Sequence, residues 1–180
     1  MTGTHFASVS KVDLEEAIRT RRTHKAYGPE PVDRETLAEL LELARWAPNH
    51  KLTNPWRFRV VGPETLRRLK EAAGEEAASK LERAPTLVVA SAALSGDPER
   101  DEEDVEATAC ATYIVLLAAH ARGLAGYWRT PEVLRTSAGC AAVDMGEGER
   151  FVGLIHLGRA RQEPPAPERA TTGDYVTYLP

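Results

Sequence analysis

The amino-acid sequence predicts a single α+β domain in which one layer of mostly antiparallel or mixed β-sheet is flanked by helices. Apolar residues recur at helical spacing in several segments, and about four short segments have the composition of strands. Helices and strands do not alternate regularly, which argues against a doubly wound parallel sheet. At 180 residues, with 42% hydrophobic and 28% charged residues, the chain has the size and composition of one globular core.

Two helices and a strand are predicted in the first third of the chain. One helix begins at Asp13, and a second begins near Asp33 and ends at Pro48. The second helix carries an apolar stripe every three or four residues, formed by Leu37, Leu40, Leu41 and Ala44. The segment WRFRVV, residues 56–61, alternates before it becomes apolar, which predicts a strand that enters the sheet.

Helices and buried strands alternate less clearly in the middle of the chain. Residues 63–84 predict one helix interrupted near Gly74, or two short helices. Residues 85–94 form a continuous apolar run, which predicts a buried strand. A short helix is expected to begin at Pro131, and FVGLIHLG, residues 151–158, predicts a further core strand.

The helix predicted at about residues 103–122 is apolar on every side, following an acidic turn that supplies its caps. Such a helix must be buried on all faces, by its own sheet and by a second subunit, and a homodimer is therefore expected. The Pro-rich tail at about residues 162–180 is predicted to be extended. Its closing YVTYL is typical of a strand, although no segment nearby in sequence could pair with it.

The charge balance excludes some classes of function. With 23 basic and 27 acidic residues the net charge is -4, whereas a general nucleic-acid-binding protein carries a basic surplus. The sequence has no run of 18 apolar residues and no positively charged start followed by an apolar stretch. We therefore expect a soluble cytoplasmic protein that binds neither nucleic acid nor membranes.

Cysteine and histidine are not arranged as metal ligands. Cys110 and Cys140 are distant in sequence, and we expect both to be buried thiols rather than zinc ligands or a disulfide. The five histidines show no metal-ligand spacing, so each is expected on the surface or in the core. The sequence also lacks a phosphate-binding glycine loop and a nucleophile elbow. Any chemistry would therefore depend on an organic cofactor.

A cationic segment, RTRRTHK at residues 19–25, follows the first predicted helix. Its cations could simply complement the dipole at the helix C-terminus. Alternatively, Arg21 and Arg22 could make forked hydrogen bonds to a phosphate, with the Thr23 hydroxyl as a further donor. Because the segment is short, a single phosphorylated small molecule suits it better than a nucleic acid.

Two further segments combine aromatic and polar residues where a turn would be expected. WAPNHKLTNPWRF, residues 46–58, carries two tryptophans, a phenylalanine, a histidine and a lysine between prolines. AGYWRT, residues 125–130, contains Trp128 and Arg129 close to two glycines. Its tryptophan could plug the core, or the segment could contact a ring or a phosphate. Trp56, which follows a proline at a strand start, is expected in the core.

In order and spacing, the segments RRTHKAY, APNHKLTNPWRFRVV and GLAGYWRT...FVGLIHLGRA together resemble the FMN-dependent nitroreductase family, in particular its small bacterial NAD(P)H nitroreductases. The resemblance covers the chain from Leu14 to the closing YVTYL. It implies an intertwined homodimer of nitroreductase-like fold with one FMN in each of two interface pockets. It also implies that the C-terminal arm wraps around the partner subunit.

The resemblance also implies roles for individual residues. Arg21, Arg22 and Thr23 would hold the FMN phosphate and ribityl chain, and Lys25 would reach the pyrimidine edge of the flavin and tune it. Trp46 and His50 would contact the FMN of the neighbouring subunit. The site would be completed by three consecutive residues, Trp128, Arg129 and Thr130. No side chain is required as a general acid, so no catalytic residue and no metal are expected.

The implied reaction is electron transfer from NADH or NADPH through FMN to a nitroaromatic, quinone or similar small acceptor by a ping-pong mechanism. Leu52 and Asn54 stand where the family often has Asn and Gln, which bears on substrate range. Three alternatives stay open at this point: a flavin-binding storage or sensing protein without turnover, a nucleotide-binding interaction protein, and a dehalogenase or dehydrogenase of the same superfamily.

Overall fold

A computed structural model describes residues 13–180. The helices are α1 (Leu14–Thr20), α2 (Arg34–Ala44), α3 (Pro63–Ala73), α4 (Glu75–Leu81), α5 (Pro98–Ala121) and α6 (Ser137–Ala142). The strands are β1 (Trp56–Val60), β2 (Thr86–Ala93), β3 (Ala125–Arg129) and β4 (Glu149–Gly158). Short 3-10 turns occur at His50–Leu52, Glu132–Arg135 and Thr172–Asp174.

The four strands form one antiparallel sheet in the order β1-β2-β4-β3. β2 and β4 occupy the centre, in agreement with their nearly continuous apolar sequences, and β1 and β3 form the edges. The predicted α+β class with a mostly antiparallel sheet is therefore confirmed.

Aspartate side chains define where three of the helices begin. The carboxylate of Asp13 accepts from the Glu16 N–H at 3.0 Å, and that of Asp33 accepts from the Thr36 N–H at 2.8 Å. Asp97 caps α5 by accepting from the N–H groups of Glu99 and Arg100. These bonds satisfy N–H groups that have no partner within the helix.

Two helix boundaries differ in detail from the sequence prediction. Residues 63–84 form two helices that meet at Gly74, whose φ of 75° is readily adopted only by glycine. Helix α5 begins at Pro98, five residues before the predicted start at Glu103. The acidic turn itself forms the first turn of α5, because a proline at the first helical position and acidic residues after it favour a helix N-terminus.

One strand, β3, was not predicted from the sequence. Residues 125–129 form β3, whereas the sequence suggested a glycine-containing turn there. Gly126 has no side chain, and a Cβ atom at this position would lie 2.8 Å from the Leu116 side chain, so the strand can pack closely on α5. The closing segment YVTYL, predicted as a strand, pairs with none of the four strands that the structure describes and is not a strand.

The sheet separates two hydrophobic clusters. Leu37, Leu40 and Val115 belong to the cluster that covers one face, where α2 and α5 pack, and Trp56 lies against it as expected. Leu69, Leu81 and Leu134 belong to the cluster on the opposite face. The sheet is therefore the middle layer of three.

The outer face of α5 is partly exposed and is not fully covered by residues 13–180. Cys110 is exposed, and Tyr113 one turn later is 37% exposed. The expectation that both cysteines are buried is therefore wrong for Cys110, because this residue lies on the face turned away from the sheet. Cys140 is half-buried. Leu14 and Ile18 of α1 are 69% and 49% exposed.

Residues 21–28 run in an extended conformation beside β3. The His24 N–H donates to the Gly126 carbonyl at 3.2 Å, and Thr23 forms a parallel bridge with Gly126. The Gly28 N–H donates to the Arg159 carbonyl at 2.9 Å. Although no regular strand forms, these bonds fix the cationic segment against the edge of the sheet.

A bulge in β4 holds the Trp128 side chain. The register of β2 against β4 shifts between Ala90 and Ser91, so Val152 has no residue opposite it. The indole Nε1 of Trp128 donates to the Val152 carbonyl at 3.2 Å. A Cβ atom on Gly153 would lie 2.0 Å from that nitrogen, so the indole can occupy this place only because residue 153 is glycine.

Replacement of Gly153 by alanine should therefore displace the indole and lower the free energy of unfolding by about 1–3 kcal/mol, the usual cost of overpacking a core. Urea denaturation measures this change. Gly148→Ala is the matched control, since a Cβ there meets no atom within 4 Å. A Gly153→Ala protein as stable as the wild type would contradict this account of the packing.

His156 on β4 is fully buried, and its ring nitrogens have no hydrogen-bond partner within residues 13–180. Burial, with a smaller effect of the Arg129 and Arg83 guanidinium groups, lowers the pKa of His156 from its ordinary value of 6.5 to about 3. Below pH 6.5 the unfolded chain therefore binds a proton that the folded chain does not bind. The free energy of unfolding therefore decreases as the pH falls from 6.5 towards 3.

Between pH 6.5 and pH 5, we expect protonation of His156 in the unfolded chain to lower the free energy of unfolding by about 2 kcal/mol. The slope is about 1.4 kcal/mol per pH unit. Urea denaturation of the wild type and of His156→Leu at both pH values isolates the effect, because all other titrating groups are shared. If both proteins lost the same stability on acidification, His156 would not titrate as described.

Candidate functional site

A half-open cavity of about 590 Å³ lies between the cationic segment 21–25 and the tail. This volume is in the range of small-molecule sites, which is about 300–1,000 Å³. Eleven residues line it: Arg21, Arg22, Thr23, His24, Lys25, Tyr127, Gln162, Pro164, Pro165, Pro167 and Arg169. The structure thus brings together four of the predicted site residues, Arg21, Arg22, Thr23 and Lys25.

The lining of the cavity is strongly cationic. Arg21, Arg22, Lys25 and Arg169 each contribute a positive charge, and the lining contains no carboxylate among the described residues. Cations gathered around a concave surface raise the local concentration of anions and favour their binding. The charge and the volume of the cavity together suit a small anionic molecule.

The structure shows the helix-capping contact of the arginine pair, and the anion-binding interpretation stays a prediction. The Arg22 Nη1 donates to the Arg19 carbonyl at 2.7 Å, so this side chain does cap the C-terminus of α1. The Arg21 Nη1 donates to the Arg22 carbonyl at 3.2 Å, and its guanidinium lies 5.9 Å from the centre of the Tyr113 ring. A guanidinium has five N–H donors, so capping leaves donors for an anion.

Two histidines lie beside the arginines. His24 is only 4% exposed, and neither of its ring nitrogens has a hydrogen-bond partner among residues 13–180. The His120 Nε2 lies 2.8 Å from the Thr20 hydroxyl. Burial lowers the pKa of His120, and the nearby His24 and Arg21 lower it further. These groups therefore share one small, positively charged volume at the end of α1.

Tyr127 forms the wall of the cavity towards the sheet. It lies on β3 opposite His156, whose ring centre is 5.9 Å away. Behind it, the Arg129 guanidinium lies 5.9 Å from the centre of the Tyr127 ring, and the Arg129 Nη1 donates to the Lys80 carbonyl at 2.8 Å. Arg129 thus adjoins the cavity wall without lining the cavity in this chain.

Trp128 and Thr130, the other predicted site residues in the segment 125–130, also lie outside the cavity. The Trp128 side chain packs against the α2 and α5 core cluster, as the plug that sequence analysis considered as one alternative. Thr130 is exposed. Neither residue lines the cavity within the single chain. Alternation along β3 explains this result, since Tyr127 and Trp128 face opposite sides of the sheet.

Trp46 and His50 lie on the loop between α2 and β1, away from the cavity lining. The Trp46 side chain is 76% exposed, with the Arg45 guanidinium 6.0 Å from its ring centre. The His50 Nδ1 lies 2.7 Å from the Glu103 carboxylate on α5. Their predicted contact is with the cofactor of a second subunit, so the single chain does not test it.

The backbone of this loop is strained. Lys51, Leu52 and Asn54 all have φ values near +50°, a region that non-glycine residues rarely adopt. The Asn49 side chain stabilises the turn, because its Oδ1 accepts from the Asn54 N–H at 3.0 Å. Leu52 at its tip is 76% exposed. Strained backbone with exposed apolar side chains is frequent at functional sites.

Sequence analysis missed several residues that line the cavity. Sequence analysis includes His24 only as part of the segment RTRRTHK and not as a site residue, and it does not propose Tyr127, Gln162 or Arg169. A lone arginine at position 169 of a Pro-rich, acidic tail is a signal that could have been used, but nothing in the local pattern indicates that the tail folds back. Its proximity to residues 21–25 is a tertiary property.

Two other kinds of site, a membrane-spanning helix and a metal site, are absent from the described residues. None of the helices is both long and apolar enough to cross a membrane. Among residues 13–180 no three or more His, Cys, Asp or Glu side chains are grouped to hold a metal ion. His5 lies outside the described residues.

Comparison with known proteins relates the chain to one family. The Nitroreductase family matches residues 18–82. A Haemophilus influenzae protein named as an NAD(P)H nitroreductase is 30% identical over 185 residues, which covers 90% of this chain and 97% of that protein.

Two solved structures are similar in fold. A nitroreductase-like protein from Bacillus cereus has a TM-score of 0.83 at 22% identity and covers 99% of both chains. A nitroreductase-type protein from Desulfovibrio desulfuricans, solved in complex with FMN, has a TM-score of 0.78 at 24% identity, with coverage of 95% of this chain and 99% of that one. On the full-length similarity to the Haemophilus protein, this chain belongs to the nitroreductase family.

Proposed function

We propose that the protein is an FMN-dependent oxidoreductase that takes electrons from NADH or NADPH and reduces a nitroaromatic, quinone or similar small acceptor. The observation that carries this proposal is the cavity lined by four cations, which suits the phosphate of a mononucleotide. The name of the Haemophilus relative and the FMN complex of the Desulfovibrio protein support the choice of cofactor and donor. FMN, when bound, would supply a flavin ring that can accept a hydride and pass on its electrons.

The described residues fit such a cofactor. Arg21 and Arg22 keep guanidinium donors available for a phosphate, and the Thr23 hydroxyl is available for the ribityl chain. Arg169 approaches the same cavity from the tail. The buried His24 ring offers nitrogens that the described protein does not pair. We propose that these groups hold the cofactor by charge and hydrogen bonds, while no side chain donates or removes a proton in the reaction.

The remaining proposed site residues surround the ring. Lys25 is proposed to reach the pyrimidine edge of the flavin, where its cation would favour the more negative redox state. Trp128, Arg129 and Thr130 are proposed to complete the site, with Arg129 next to the wall formed by Tyr127. Trp46 and His50 are proposed to cover the flavin of the partner subunit and to exclude water from it. Leu52, on the same loop, is proposed to influence the acceptor range.

We further propose that the active form is a homodimer of a single domain, with residues 162–180 as an arm that passes this chain's own cavity as far as Arg169 and then reaches around the partner. The α1–α5 patch, defined as Leu14, Ile18 and Tyr113, is apolar and exposed in the single chain. In the tail, Tyr178 and Leu179 are 93% and 85% exposed. Apolar surface of this kind favours burial against another subunit.

The absorbance spectrum of the purified protein tests the function. After reconstitution with FMN and gel filtration, we expect a yellow protein that bleaches with NADH or NADPH under argon and regains its colour when an acceptor is added. A yellow protein that bleaches with neither nicotinamide would instead indicate flavin binding without turnover. A colourless protein would contradict FMN binding altogether.

Replacement of Lys25 by methionine should lower the flavin reduction potential by a few tens of millivolts, because a tenfold change in relative affinity for the two redox states corresponds to about 30 mV. Equilibration with a redox dye measures the potential. Lys80→Met is the matched control, since Lys80 is exposed and does not line the cavity. An unchanged potential in Lys25→Met would remove this residue from its proposed role.

Introduction of a charge into the α1–α5 patch should dissociate the dimer. For Tyr113→Glu and Ile18→Glu we expect sedimentation to give a particle near 19.7 kDa, with loss of FMN, whereas the wild type sediments at twice that mass. Ala138→Glu adds the same charge to an exposed site on α6 and should stay dimeric. A wild-type monomer that retains FMN would refute the dimeric site.

A further inference from the structure

His24 has polar atoms that the described fold does not use. The residue is only 4% exposed, yet its Nδ1 and Nε2 have no hydrogen-bond partner among residues 13–180. Most buried polar groups in folded proteins are paired, so a buried imidazole with two free nitrogens calls for a specific explanation. His24 is one of the residues that line the cavity, and in sequence it lies between two of the cationic residues, Arg22 and Lys25.

The backbone holds the ring in a fixed place. The His24 N–H donates to the Gly126 carbonyl at 3.2 Å, and the His24 carbonyl accepts from the Tyr27 hydroxyl at 2.9 Å. Both backbone groups are therefore paired and only the side chain is free. A side chain anchored in this way binds a ligand with little further loss of conformational entropy.

A carboxylate from the tail lies beside the free ring. The Glu163 Oε2 is 3.5 Å from the His24 Nε2, without the geometry of a hydrogen bond. The Glu163 side chain is 84% exposed, so it is held loosely, and ion pairs with an exposed partner contribute little. An anionic oxygen thus already approaches the position where a phosphate oxygen could hydrogen-bond to the imidazole.

We propose that His24 is a further phosphate-binding residue of this cavity, and that the Glu163 carboxylate is an internal anion that competes with the ligand phosphate for it. This inference rests on the proposed binding of FMN. On binding, the phosphate accepts a hydrogen bond from the imidazole, and the Glu163 side chain moves out into solvent. His24 thereby joins Arg21, Arg22 and Arg169 in recognising the phosphomonoester, and Glu163 sets a limit on its affinity.

Binding of FMN and of riboflavin, which lacks the phosphate, separates this role from a structural one. His24→Leu should weaken FMN binding about tenfold while riboflavin binding stays unchanged, as expected for loss of one charge-assisted hydrogen bond. His24→Gln, which keeps an N–H donor, should recover most of the loss. The melting temperature of the FMN-free variants should match that of the wild type, because the ring nitrogens make no hydrogen bonds within the described protein.

Removal of the Glu163 charge should strengthen FMN binding, whereas His24→Leu should weaken it. Glu163→Gln should strengthen FMN binding about two- to fivefold and leave riboflavin binding unchanged. Glu168→Gln is the matched control, since it removes the same charge from the same tail at a residue that does not approach His24. In a His24→Leu background, Glu163→Gln should have no more effect than Glu168→Gln.

The outcomes distinguish this inference from the proposed function. If the wild type does not bind FMN, the proposed function itself fails. If the wild type binds FMN but His24→Leu weakens FMN and riboflavin equally, or weakens neither, only the role of His24 is overturned. A Glu163→Gln protein that binds FMN no more tightly than Glu168→Gln would overturn the competition.

Discussion

The structure around the cavity depends on one electrostatic constraint, namely that several like charges are held together on a backbone that cannot separate them. Hydrogen bonds to Gly126 and Arg159 fix residues 21–28 beside the sheet. The side chains of Arg21, Arg22 and Lys25 must then share one concave surface, to which the tail adds Arg169. Mutual repulsion is lowest when a compact anion lies among them, and this requirement connects the fold to the proposed cofactor.

The sheet supplies the rigidity that this arrangement needs. β3 is an edge strand, so its outer side can receive the cationic segment, while its inner side is paired with β4. The bulge at Val152 and the absence of a side chain at Gly153 fix Trp128 on one side of β3. Tyr127 is thereby directed to the other side, where it forms the cavity wall. The packing of the core and the shape of the site are thus consequences of the same strand.

Features that depend on local sequence could be predicted, and features that depend on distant contacts could not. Helix starts at Asp13 and Asp33, and the two central strands, follow from capping residues and apolar runs. β3 was missed because its five residues contain a glycine and charged or aromatic side chains, and it becomes a strand only by pairing with β4. YVTYL forms no strand among residues 13–180, because it pairs with none of the four described strands.

The candidate site shows the same division. Arg21, Arg22, Thr23 and Lys25 could be proposed because they lie within one five-residue segment, whereas His24 is distinguished only by its burial and Arg169 only by the return of the tail. The assignments of Trp46 and His50 depend on a second subunit and stay predictions. Trp128, Arg129 and Thr130 likewise stay predictions, because strand alternation directs the indole of Trp128 into the core of this chain.

A crystal structure of the protein grown with FMN tests the central claim most directly. The account predicts one FMN per chain with its phosphate between residues 21–25 and the tail, within hydrogen-bond distance of the Arg21 or Arg22 guanidinium group. A phosphate bound elsewhere, with these arginines directed into solvent, would contradict it.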